Sequence, residues 1–234
     1  MSPVFRQDQT TRLETFVDAA FAFALTMLVI SVDSIPQSFD ELMDALKGVP
    51  AFAASFTITV MFWHGHYRWS RRFGLEDGWS VVLSLTLVFL VLVFLYPLRL
   101  MMSSAFNAFT GGWLPAELEI TELSQVRTFF VLYGIAFALM SSVLLALNAH
   151  VLRLQVVPPL SPARRVIARN EIEAWGILAA SGAISASLAL VLPPRMVALS
   201  VWLYVGLAVL MPLMSRRWHR LGAAAEALER SDGD

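Results

Sequence analysis

Six mainly apolar segments, over residues 14–33, 50–68, 79–103, 127–151, 174–193 and 196–215, constrain this chain of 234 residues more than any other feature. A helix needs about 20 predominantly apolar residues to cross the hydrocarbon core of a bilayer. A soluble helical bundle would need a polar exterior instead. Charged residues make up only 15% of the chain, against roughly 25% in an ordinary soluble domain. The sequence therefore predicts an all-α integral membrane protein: one domain over 1–234 with six transmembrane helices.

The arginines set the orientation. Arg6, Arg12, Arg68, Arg71, Arg72, Arg153, Arg164, Arg165, Arg169, Arg216, Arg217, Arg220 and Arg230 fall on one side of the six segments, leaving Lys47, Arg99, Arg127 and Arg195 of the 17 basic residues for the other. The positive-inside rule then places both termini in the cytoplasm, as an even number of spans also requires. The outer loops are acidic, with Asp33, Asp40, Glu41 and Asp44 in the first and Glu117, Glu119 and Glu122 in the second. Such clusters raise the local cation concentration at a mouth, and they are equally ordinary in a solvated loop.

Punctuation along the chain refines the plan. Pro193-Pro194-Arg195 separates the fifth and sixth segments so tightly that they form a helical hairpin. The fifth is rich in small residues, from Ala179 to Ser187, which permits close backbone approach between membrane helices. Gly111-Gly112-Trp113-Leu114-Pro115 breaks the 106–125 loop, with Trp113 suited to the outer interface. Residues 154–172, with Pro158, Pro159 and Pro162, read as the longest inner connection, a linker between two three-helix halves. The tail from Ala223 to Asp234 reads as a short polar extension that frays.

Several function classes find no support. The chain has no cysteine, which removes thiolate metal sites, cysteine nucleophiles and disulfides. His64 and His66 are two apart and so lie on different faces of a helix, unlike paired metal ligands. No glycine-rich phosphate loop carries a lysine, and no serine sits in an elbow motif. The arginines are split among inner segments that flank apolar spans, so no nucleic-acid surface is implied. No enzyme activity and no cofactor are expected.

Two short segments rise above this background. Arg12-Leu13-Glu14-Thr15-Phe16-Val17-Asp18 runs straight into apolar Ala19–Val32. A carboxylate at membrane depth costs about 2.5–3.5 kcal/mol on insertion scales, so Asp18 should face protein or water. It is either a helix start near the headgroups or part of a buried arrangement with Arg12. The second segment is Phe62-Trp63-His64-Gly65-His66-Tyr67-Arg68, at the inner end of the second span. Trp63 there fits an interfacial aromatic belt. His66 equally suits a network with Arg12 and Asp18, at compatible depth, in which each polar group satisfies another.

These segments carry a resemblance. Arg12-x-x-x-Phe16-Val17-Asp18 followed by Ala20-Phe21-Ala22-Phe23-Ala24-Leu25-Thr26 resembles the Arg-x-x-x-Phe-Ser-Asp opening of the transmembrane protein 175 family, the endolysosomal potassium channels and their prokaryotic relatives. Trp63-x-x-His66 is similar to that family's tryptophan–histidine element, and Phe94-Leu95-Tyr96-Pro97 to a looser pattern. The resemblance implies a homotetramer in which the first helix of each subunit lines one central pore. It places the apolar constriction at Phe23, a hydroxyl layer at Thr26 and Ile30 one turn further out, with a structural network of Arg12, Asp18, Trp63 and His66. Spaced three and four apart, 23, 26 and 30 share one helix face. Two positions depart from the pattern: Val17 stands where the family has serine, and Phe23 where an aliphatic residue is usual.

The resulting expectation is a potassium-permeable cation channel in a prokaryotic plasma membrane, gated by apolar constrictions that dewet or open. Its partners would be potassium ions, held only transiently near Thr26, and the lipid bilayer. A secondary transporter, suggested by the proline-rich inner linker, and a non-transporting membrane scaffold are the alternatives.

Overall fold

A computed structural model describes residues 10–30, 36–118, 122–154, 159–193, 196 and 201–233. Among them the chain forms seven helices and no strand: α1 (Arg12–Ile30), α2 (Phe39–Lys47), α3 (Val49–Phe73), α4 (Gly78–Phe109), α5 (Leu123–Arg153), α6 (Pro162–Val191) and α7 (Val201–Gly233). Three described helices are long and apolar enough to cross a membrane: α4, α5 from Ser124 onward, and α6. The pair α2 and α3, bent by 41° at Gly48, adds a fourth candidate. The 32 residues of α4 extend about 48 Å, well beyond the roughly 30 Å hydrocarbon core.

Local chemistry sets the helix ends. Thr11 Oγ1 accepts from the Glu14 amide at 3.0 Å and starts α1. Asp77 caps α4 through the Trp79 amide. Ser161 accepts from the Arg164 amide with Pro162 at the first helical position, where its missing N–H costs nothing. That cap corrects one expectation. Helix α6 begins at Pro162, twelve residues before the expected 174, so most of the supposed linker over 154–172 is helix. The tail differs likewise: α7 continues to Gly233. Helix α2 is an addition within the first loop, capped by Ser38 on the Glu41 amide.

Small residues bring α5 and α6 together. A Cβ on Gly134 would lie 2.7 Å from the Gly182 carbonyl oxygen, and one on Gly182 would lie 2.7 Å from the Ala138 nitrogen. The two backbones therefore touch through Gly134-x-x-x-Ala138 and Gly182-x-x-x-Ala186, a close approach that only such spacings permit. Trp175 of α6 crosses α3 at Gly65, where a Cβ would meet its ring at 2.3 Å. The same indole stacks on Phe62, with centroids 5.8 Å apart.

Ionic contacts knit the other ends of these helices. Glu171 of α6 accepts from both Arg68 and Arg72 of α3. His150 of α5 pairs with Asp77 at 2.8 Å. The Leu13 amide donates to Glu76 at 3.1 Å, and buried Glu14 accepts from Ser70 at 3.3 Å. Arg68 and Arg72, which the charge pattern explained by topology alone, thus also hold α3 to α6.

Candidate functional site

Helix α1 has two unlike faces. Leu13, Val17, Phe21, Ala24 and Leu28, spaced by three and four, are buried against α3 and α4. The opposite face carries Phe16, Ala19, Phe23, Thr26 and Met27, all exposed, with Phe23 at 58%. Phe23 and Thr26 therefore stand together on the exposed face of α1. The Ile30 side chain lies outside the described residues.

Thr26 is not a free hydroxyl. Its Oγ1 donates to the Ala22 carbonyl at 2.9 Å, one turn back. The proton points into the helix, so the oxygen lone pairs are what Thr26 presents outward. That polarity suits a cation and not an anion.

Two polar contacts fix the rotation of α1. Near its start, Trp63 Nε1 of α3 donates to Asp18 Oδ1 at 2.8 Å in a half-buried setting. Near its end, Arg99 Nη1 of α4 donates to the Leu28 carbonyl at 3.0 Å. Asp18 and Leu28 are ten residues apart, about 15 Å along the helix. Both contacts come from the packed side, which turns Phe23 and Thr26 away from it.

The expected Arg12–Asp18–His66 network is corrected. Asp18 and Trp63 meet, but His66 turns to α4, where its Nε2 lies 2.9 Å from Ser84 Oγ in a fully buried site. Arg12 is exposed and forms no ion pair among the described residues. The reason is angular: Arg12 and Asp18, six residues apart, stand about 120° apart around the helix. The acid that the first turn does bury is Glu14, beside Ser70, with Arg71 Nε at 4.0 Å.

Arg99 is the residue that sequence reasoning missed. It is 6% exposed, and its Nε and Nη2 both donate to Glu117 Oε1, at 2.9 and 2.7 Å. A lone arginine inside a long apolar span was the available signal, since a charge there needs a partner.

The model of the family described as "Endosomal/lysosomal potassium channel TMEM175" matches residues 12–97, a stretch that holds Arg12, Asp18, Phe23, Thr26, Trp63 and His66. A variant of the potassium channel MtTMEM175, solved in complex with a nanobody–MBP fusion protein, superposes with a TM-score of 0.78 at 25% identity, covering 92% of this chain and 96% of that one. Residues 12–97 thus resemble that family, and the fold resembles that of a solved member. A protein of Marivirga tractuosa named "Potassium channel" is 33% identical over 141 residues, 58% of this chain; the match spans 57% of that relative's length. A lysosomal potassium-selective channel TMEM175 homolog from Chamaesiphon minutus shares the fold, with a TM-score of 0.59 at 21% identity over 88% of this chain and 96% of that one. With three described helices long and apolar enough to cross a bilayer, the chain is a multi-pass membrane protein.

Proposed function

We propose that this protein is a subunit of a potassium-permeable cation channel, in which four copies place α1 around one central pore. The observation that carries the reading is the two-faced α1. One face is packed and polar-pinned within the protomer, while the other offers Phe23 and Thr26 to whatever lies opposite. Four such faces around an axis enclose a narrow apolar conduit with a ring of outward hydroxyl oxygens. The likeness to proteins named potassium channels supports the same assignment.

In this arrangement Phe23 forms the constriction. A ring of four phenyl groups excludes water until the helices part, so conduction is controlled by dewetting and not by a charged gate. Thr26 oxygens replace part of a dehydrating cation's hydration shell. Ile30 adds a second apolar layer further out. The polar partners of Asp18 and Leu28 hold these side chains on the pore face, which preserves the alignment between subunits.

The topology that accompanies this pore has α1, α3, α4, α5, α6 and α7 as six spans, with both termini in the cytoplasm of a prokaryotic cell. The bias of arginines toward one side supports it. Purified protein reconstituted in planar bilayers tests the function. Unitary currents that reverse close to the potassium equilibrium potential in a KCl/NaCl gradient are expected. Saturable coupled flux without unitary steps would mean a transporter, and silence a scaffold; either contradicts the proposal.

A further inference from the structure

Helix α2 has a strongly divided surface and no home in the protomer. Phe39, Leu42, Met43 and Leu46 sit at positions i, i+3, i+4 and i+7, so they form one stripe. Asp40, Glu41 and Asp44 take the other side, with Lys47 bound to Asp44 at 2.7 Å. None of the nine residues is buried, and Phe39 is 74% exposed. A soluble loop would not keep four large apolar side chains on one face in water.

Neighbouring features say what covers them. From Leu46 the stripe continues through Val49, Ala53 and Phe56, all exposed along α3. Helices α2 and α3 together make one candidate span, bent by 41° between them, and α3 is the part that crosses the bilayer in the proposed topology. The stripe is therefore continuous with an apolar face already at membrane depth. At the same end of the molecule, Phe109 closes α4 and Trp113 follows it, exposed at 74% and 69%. Aromatic rings in that position belong at headgroup level. The polar side of α2 is acidic, so attraction to anionic headgroups plays no part and burial of the stripe among acyl chains supplies the binding.

We propose that α2 is an interfacial helix that seats Phe39, Leu42, Met43 and Leu46 in the bilayer surface beside the point where α3 enters it. Its function is to hold the start of the α2–α3 pair at the membrane surface. The inference needs only membrane insertion, not ion conduction.

The absence of native cysteine makes the test direct. Nitroxide labels are placed singly at Leu42→Cys, Leu46→Cys, Asp40→Cys and Asp44→Cys in the full chain, in phosphatidylcholine liposomes. Collision with oxygen reports lipid, and collision with a water-soluble nickel chelate reports solvent. The expected oxygen-to-nickel ratio is several-fold higher at 42 and 46 than at 40 and 44. Nickel reaching all four sites alike would mean a solvated helix. Neither reagent reaching 42 and 46 would mean a second copy of the chain covers the stripe. Both results overturn the proposal. Brominated phosphatidylcholine quenching of a fluorophore at Met43→Cys provides an independent reading, with strong quenching expected and none contradicting it.

Discussion

Arg99 in the middle of α4 reaches across to the last turn of α1 and donates to the Leu28 carbonyl at 3.0 Å, while Glu117 beyond the end of α4 accepts from the same guanidinium. The last four carbonyls of any helix lack an intrahelical partner or approach that condition, and a cation near them also meets the negative end of the helix dipole. Arg99 therefore acts as a buried cap that ties α1 to α4 and to Glu117 in the segment after α4.

Replacing Arg99 by leucine leaves Glu117 unpaired and the Leu28 carbonyl uncapped. Glu117 retains some solvent access, so the expected destabilisation is near the lower end of the buried-pair range, about 3 kcal/mol. Glu117→Gln keeps an acceptor but leaves the more deeply buried guanidinium without a counter-charge, so it should cost at least as much, about 3–5 kcal/mol. Thermal unfolding of the purified protein orders the two variants. Equal melting temperatures for Arg99→Leu and the parent would show that the clamp contributes nothing.

At the other end of α1, Trp63→Phe removes the only N–H that the indole offers to Asp18. A hydrogen bond to a charged acceptor is worth about 1.5–3 kcal/mol, and thermal stability should fall accordingly. Asp18→Asn retains the Oδ1 acceptor and, with Arg12 exposed, strands no buried cation. It should therefore be milder than Trp63→Phe. The reverse order would return Asp18 to a network with a second cation.

Backbone contact makes the α5–α6 interface intolerant of one methyl group. Gly134→Ala forces a Cβ to within 2.7 Å of the Gly182 carbonyl and 2.8 Å of the Ala186 nitrogen. Neither is the end of a flexible chain, so the loss should reach the upper part of the overpacking range, about 3 kcal/mol. Gly206→Ala in α7 meets nothing within 4 Å and should gain about 0.5–1 kcal/mol from helix propensity. Melting temperatures moving in opposite directions are the expected readout.

Asp77 supplies a pH dependence. Burial raises its pKa, but hydrogen bonds from Ser80 and His150, the charge of His150 and the Trp79 amide together outweigh it, so the net shift is downward from the ordinary 3.8. A depressed carboxylate contributes stability that is complete above its unfolded pKa and lost as pH falls through the folded one. The stability difference between the parent and Asp77→Asn should therefore shrink as the pH drops below 3.8. A difference that grows on acidification would have the wrong sign for this assignment.

Much of this architecture can be traced to residues that advertise themselves. The three-and-four spacing of Val17, Phe21, Ala24 and Leu28 separates the packed face of α1 from that of Phe23 and Thr26, and the small residues around Gly182 announce the tight contact with α5. Helix α2 reads as an acidic loop by its charges, although Ser38-x-x-Glu41 is a capping signature before an amphipathic stripe. Ser161-Pro162 carries the start of α6 in the same way, though the nearby prolines favoured a linker. Other features leave no local trace. The partner of Arg99 is a backbone carbonyl, which any residue at 28 would supply. Ser84, which receives His66, sits within an apolar run whose pattern gives a lone serine no special standing. Arg12 and Asp18 look like partners by charge, and only their angular separation shows otherwise.

The central claim is that Phe23 and Thr26 face the conduction path, and unitary current through the Phe23→Ala channel in planar bilayers tests it most directly. Removing the ring widens the constriction and weakens its dewetting barrier, so conductance should rise while potassium-over-sodium discrimination falls. Leu28→Ala, on the packed face, should lower stability and leave unitary conductance unchanged. A Phe23→Ala channel with the parent's conductance and selectivity, or a Leu28→Ala channel altered as much, would contradict the account.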